Sequence, residues 1–240
     1  MLIRPGVARP DGEETPMFDR FRSPITAVLV LSAALLLLPS IAPAGAPSCI
    51  GADACTGNTG AVGEGACIGE RACFSNLGDI GKRGCQGPRP AFAGGVCENN
   101  RGLVGESACQ DEVACVDNSG PIGKLACVGH GACASNAGRV GEGACVGPGA
   151  CRANMGKIGK DACRGRAACD EFVGTVGENS CIGEFACNLL GFGDPEHPVS
   201  IGKSACRGDR ACLCNRGPIA TGTCNGPPVG GTGVCERPCS

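Results

Sequence analysis

Cysteine dominates the chemistry open to this chain, with 22 thiols among 240 residues. Thiols at that density form disulfides in an oxidising compartment or hold metal in a reducing one. Spacing separates the two readings. Ten units each contribute a pair: Cys49/Cys55, Cys67/Cys73, Cys85/Cys97, Cys109/Cys115, Cys127/Cys133, Cys145/Cys151, Cys163/Cys169, Cys181/Cys187, Cys206/Cys212 and Cys224/Cys235. Gaps of 6 and 12 alternate along most of this series, and Cys214 and Cys239 are additional. Structural zinc sites favour cysteines two to four residues apart with a second such pair nearby. Five intervening residues do not fit that pattern; only Cys212/Cys214 and Cys235/Cys239 approach it. The total is even, as full pairing requires, so disulfides are the reading and no metal site is expected.

Other reactive side chains are scarce. The two histidines are His130, inside a repeat, and His197, in a loop between Pro195 and Pro198. His130 is read as an exposed residue of a coil and His197 as a loop residue. No catalytic residue and no cofactor are expected, and the chain is read as a non-enzyme.

The elements that carry the cysteines must be thin. There is no Trp and no Tyr, only seven Phe and three Met, against 42 Gly. So few large side chains cannot fill a thick core, which leaves backbone ladders and covalent staples. Aligned on cysteine, the chain repeats every 18 residues as three hexapeptides, as in VGEGAC-IGERAC-FSNLGD from Val62 to Asp79. Six extra residues lie between Cys85 and Cys97 and seven between Cys187 and Cys206, so loop insertions are placed near 86–97 and 188–200. A fixed period means that each unit packs on the next.

Inside the first hexapeptide the third position reads Glu64, Lys82, Glu106, Lys124, Glu142, Lys160, Glu178, Lys203. The aliphatic residue two places earlier alternates in step, from Val62 and Ile80 to Val176 and Ile201. Stacked strands lie ~4.8 Å apart, so equivalent residues of adjacent units become neighbours. Opposite charges there attract modestly and like charges repel. An 18-residue coil yields an inter-coil charge ladder; a 36-residue coil would set Glu on Glu. The competing explanation is a relic of a duplicated 36-residue segment. In the third hexapeptide Asn58, Asn76, Asn100, Asn118, Asn136, Asn154 and Asn215 each precede a glycine by two places, while Phe172 and Leu190 break the column. Asn and Gly tolerate left-handed backbone, so these are read as corner residues, able also to bond from coil to coil.

The [IV]-G-x-x-[AS]-C pattern resembles the hexapeptide repeat of left-handed β-helices, where an aliphatic and a small residue point inward and three hexapeptides make one triangular coil. The Cys-x5-Cys of each unit is also similar to the disulfide-braced β-solenoids of insect antifreeze proteins, and tandem IGxx[AS]CxGxxAC repeats resemble secreted microbial proteins. The resemblance implies an all-β, single-stranded parallel β-solenoid of about ten coils, covering residues 45–240. It does not carry the families' activities across. Two histidines cannot supply the three metal ligands of the hexapeptide carbonic anhydrases, and eight Thr form no ice-binding rank. Disulfide connectivity stays open. Pairing within a unit is favoured by one pair per repeat. A regular triangular coil opposes it, because equivalent points on adjacent faces lie ~8 Å apart, beyond the roughly 7 Å limit. Pairing between coils suits the ~4.8 Å stacking.

The remaining sequence speaks of location. Ile25–Leu38 is an apolar run too short for a membrane span, preceded by Arg20 and Arg22 and followed by small residues. Residues 1–44 are read as a signal peptide cut after Ala44, with Met17 a candidate start; the alternative is an uncleaved anchor. The mature chain is expected to be extracellular or at the cell surface, with no membrane span. A net charge of −2 points to no nucleic acid. The function expected is a structural or adhesive matrix scaffold, its partner another copy or a surface component. Alternatives are a glycan- or ice-binding module and, last, a hexapeptide enzyme.

Overall fold

The computed structural model describes residues 47–88, 94–191, 196–213, 215 and 217–226. The expected signal segment, Cys235 and parts of both insertions lie outside these. Gly45–Ser240 form one compact unit. No helix occurs among the described residues. Three short strands, β1 (Lys157–Ile158), β2 (Gly174–Val176) and β3 (Val199–Ile201), form a parallel sheet in the order β1-β2-β3. Ile158 pairs with Val176, and Val176 with Ile201.

The sheet is the regular part of a longer ladder. Parallel bridges join Val62 to Ile80, Ile80 to Val104, Val104 to Ile122, Ile122 to Val140 and Val140 to Ile158, then Ile201 to Ile219. A second series starts at Ile50–Ile68 and ends at Ile182–Arg207. Each bridge connects equivalent residues of consecutive units, including across both insertions. Side-chain bonds repeat the same step: |i−j| is 18 for Asn118–Asn100, 24 for Asn100–Asn76 and 25 for Lys203–Glu178.

The expected hexapeptide strands shrink to isolated bridges for a local reason. All 19 described cysteines have φ between 55° and 60°. An L-residue held left-handed costs about 1–2 kcal/mol and cannot continue a strand. Here it turns the chain so that cysteine N–H groups from Cys49 to Cys206 donate onward, as Cys109 does to the Ala126 carbonyl at 2.9 Å and Cys115 to Ala132 at 2.9 Å. Small buried neighbours, Ala126, Ala132, Ala144 and Ala150, leave room for these turns.

The core is one continuous stripe. Ile80, Val104, Ile122, Val140, Ile158, Val176 and Ile201 are buried in the first column, with the Ala-Cys pairs beside them. The first position of the second hexapeptide departs from the inward aliphatic that the resemblance implies. Ile50 is exposed, Gln86 and Gln110 are half-buried, and Arg164 and Arg207 are exposed. Those side chains sit at the rim, so only one aliphatic column fills each unit.

Candidate functional site

The expected functional features are columns of repeated side chains, and the structure arranges them in three ways. The cysteines bond within units: Cys49–Cys55, Cys67–Cys73, Cys85–Cys97, Cys109–Cys115, Cys127–Cys133, Cys145–Cys151, Cys163–Cys169, Cys181–Cys187 and Cys206–Cys212. Cα separations are 5.5–5.8 Å, inside the bridging limit. The ~8 Å expected for a regular triangle does not apply, because the left-handed turns bring the two cysteines of a unit together. Cys224 is also disulfide-bonded, and no free cysteine occurs among the described residues. Sulfurs of consecutive units come close, with the Sγ atoms of Cys127, Cys133 and Cys145 all within 4.8 Å. Each is committed to a disulfide, and the thiolate that binds metal is not present in this form.

The asparagines form a second column, and of the two roles read from the sequence they take the bond from unit to unit rather than the corner. Asn76, Asn100, Asn118, Asn136 and Asn154 are fully buried. Each Nδ2 donates to the Oδ1 of the preceding asparagine: Asn76 to Asn58 at 2.6 Å, Asn100 to Asn76 and Asn118 to Asn100 at 2.7 Å, Asn136 to Asn118 and Asn154 to Asn136 at 2.8 Å. The same Nδ2 donates to the glycine carbonyl two places on, as Asn118 does to Gly120 at 2.8 Å. Asn215 bonds Gly217 in the same local way at 3.4 Å. The left-handed corner itself belongs to the residue before the asparagine: Ser75, Asn99, Asp117, Ser135 and Ala153 all have positive φ. The glycine serves close approach. A Cβ on Gly120 would lie 2.0 Å from the Gly138 carbonyl oxygen. Where the column breaks, Phe172 and Leu190 fill it, fully buried.

The third column is charged and exposed. Lys82 lies 3.4 Å from Glu64, Lys124 3.7 Å from Glu106, Lys160 3.3 Å from Glu142 and Lys203 3.0 Å from Glu178. Each lysine thus reaches back to the unit before it. A further set of pairs lies along the second hexapeptide: His130 Nδ1 stands 3.4 Å from Glu112, and Arg166 3.8 Å from Glu184. Arg152 grips Asp170 with two bonds, Nε to Oδ1 at 3.1 Å and Nη2 to Oδ2 at 2.9 Å. Those bonds raise the guanidinium above its ordinary pKa. Arg71 pairs with Glu98 and lies over the Phe74 ring, 4.5 Å from its centre.

Both histidines are exposed. At the C-terminal end of the insertion near 86–97, the Glu98 carboxylate accepts the Gly95 N–H at 2.9 Å. One open depression spans three units, lined by Ser75, Leu77, Asn99, Arg101, Asp117 and Ser119. Sequence reasoning did not single it out; its signal is the polar residue flanking each buried asparagine. Among the described residues, no helix is long and apolar enough to cross a membrane.

Two stretches, residues 92–161 and 135–239, match a family described as a domain of unknown function, DUF7640. Together they run from 92 to 239, more than half of the 240 residues. No curated protein and no solved structure matches the chain.

Proposed function

This chain belongs to the DUF7640 family, and we propose that it is an exported, non-catalytic scaffold, a single-stranded parallel β-solenoid for a cell surface or matrix. About ten coils at a ~4.8 Å rise give a rod ~48 Å long. The observation that carries the reading is the unbroken Asn ladder from Asn58 to Asn154, in register across the first insertion. Identical buried amides bonded at every step are a device for stacking copies of one unit. The other conspicuous columns serve the same end: aliphatic residues for burial, disulfides for bracing, charges for register. Nine described disulfides fit an oxidising compartment. The exposure of His130 and His197 supports the non-catalytic part. Fractionating producing cells tests the proposal. The chain should be found in surface and medium fractions, oxidised and lacking residues 1–44. Cytosolic protein with free thiols would overturn it.

A glycan-binding role is a second reading, favoured by the depression with Asn99, Arg101, Asp117 and Ser119 on one face. A glycan array should then return hits that Arg101→Ala and Asp117→Ala abolish, and a blank array removes this reading.

A further inference from the structure

The charged column is built for more than its own register. Eight residues alternate without a break from Glu64 to Lys203, and their side chains are 44–66% exposed. The bridges hold them in step through both insertions, since Ile80 joins Val104 and Val176 joins Ile201. Such a rank starts with Glu, ends with Lys and has an even number of members. Turned end for end, it is its own complement: Glu64 meets Lys203, Lys82 meets Glu178, Glu106 meets Lys160 and Lys124 meets Glu142. We propose that this face binds a second copy of the chain, antiparallel, about a two-fold axis between Lys124 and Glu142.

Charge and shape choose that occupant. Signs alternating every ~4.8 Å cancel within a short distance, so a uniform polyanion finds no net attraction there. Only another alternating rank gains at every rung. A slip of one unit sets like charge on like at each rung, and so does a parallel pairing in register. A parallel pairing staggered by one unit matches seven rungs but leaves its ends open, whereas the two-fold arrangement matches eight and closes. Each charged residue follows a glycine, and a Cβ on Gly123 would meet the Gly141 backbone at 2.7 Å, so these glycines let successive units approach closely and space the rank evenly. Leu125, 56% exposed, follows Lys124 as Gly143 follows Glu142, so the two-fold axis sets it against the partner's Gly143. Each lysine already paired within its chain acquires a second carboxylate. Networks of this kind contribute where isolated exposed pairs contribute little. The narrow contact makes the dimer weak and sensitive to salt.

This inference rests on the stacked-coil reading, and carbodiimide cross-linking of the full oxidised chain separates the two. Stacking alone predicts Glu64–Lys82 links inside monomers. The antiparallel dimer adds Glu64–Lys203 and Lys82–Glu178 links between chains, which separations of seven and five steps forbid within one. These links should be strong at low salt and fall about tenfold or more near 1 M, where the screening length is ~3 Å. The quadruple variant Lys82→Glu, Lys124→Glu, Lys160→Glu, Lys203→Glu should stay folded, by circular dichroism, yet monomeric. Monomer links without Glu64–Lys203 links, or dimers that persist in the folded variant, overturn the dimer alone. Absence of Glu64–Lys82 links overturns the stacking beneath it.

Discussion

Asn118 donates from Nδ2 to Oδ1 of Asn100 at 2.7 Å, and both side chains are sealed from solvent. The same Nδ2 also bonds the Gly120 carbonyl, so both of its hydrogens are used. Asn136 in turn spends a hydrogen on Asn118 Oδ1 at 2.8 Å. Removing one amide therefore strands groups on two neighbours. Asn118→Ala should cost about 2–4 kcal/mol, combining an unmet donor with a small cavity, as read from the urea midpoint.

Asn118→Asp brings a pH dependence that the native chain lacks at this site. The new carboxyl would face two acceptors, Asn100 Oδ1 and the Gly120 carbonyl, in a buried site. Only its protonated form can donate, so its folded pKa must rise above the unfolded value of about 3.9. A raised acid pKa means stability is present below the unfolded pKa and is lost as pH rises through the folded one. Urea titrations near pH 3.5 and pH 7 should show the variant closer to wild type at the acid end; equal deficits at both would refute the bonding pattern.

Gly120→Ala tests close approach rather than turn geometry. Its Cβ would sit 2.0 Å from the Gly138 carbonyl oxygen, while a Cβ on Gly217 would meet nothing within 4 Å. We expect a loss of at least about 3 kcal/mol at Gly120 and a change within ~0.5 kcal/mol at Gly217, both measured by chemical denaturation.

Single charge changes on the exposed rank should be mild in the monomer. Lys124 and Glu106 are 3.7 Å apart with their side chains at least half exposed. Lys124→Glu should shift stability by less than about 1 kcal/mol, and less still in high salt. A larger monomer effect would mean that the rank carries folding energy rather than register.

The repeat, its 18-residue step and its charged column could be read directly, because Val62, Ile80, Glu64 and Lys82 declare themselves by periodicity. The longer steps from Ile80 to Val104 and from Val176 to Ile201 match the extra residues counted from cysteine spacing. Backbone conformation was not. Cysteine has no inherent leaning toward left-handed φ, and only the neighbouring units, accepting its N–H, make that state worthwhile. The column of Asn118 was visible, yet N-x-G has two physical explanations, a left-handed corner or a buried amide against a bare backbone. Choosing between them requires knowing what lies one unit away. Phe172 and Leu190 look like defects in sequence and are fillers in space.

Reduction should dismantle the fold. A bridge closes seven residues in most units and thirteen at Cys85–Cys97, each worth about 2–3 kcal/mol on the chain-entropy account, and the cysteines occupy a conformation L-residues disfavour. Reduced and alkylated chain should be rapidly digested while the oxidised chain resists, in a timed protease assay.

The claim that each 18-residue coil is closed by its own disulfide is tested most directly by mapping tryptic peptides of denatured, thiol-blocked, unreduced protein. Residues 125–139 hold both Cys127 and Cys133, and residues 140–152 hold both Cys145 and Cys151. Each should appear alone, two hydrogens lighter than its dithiol form. A single species joining the two peptides, separable only by reductant, would contradict the account.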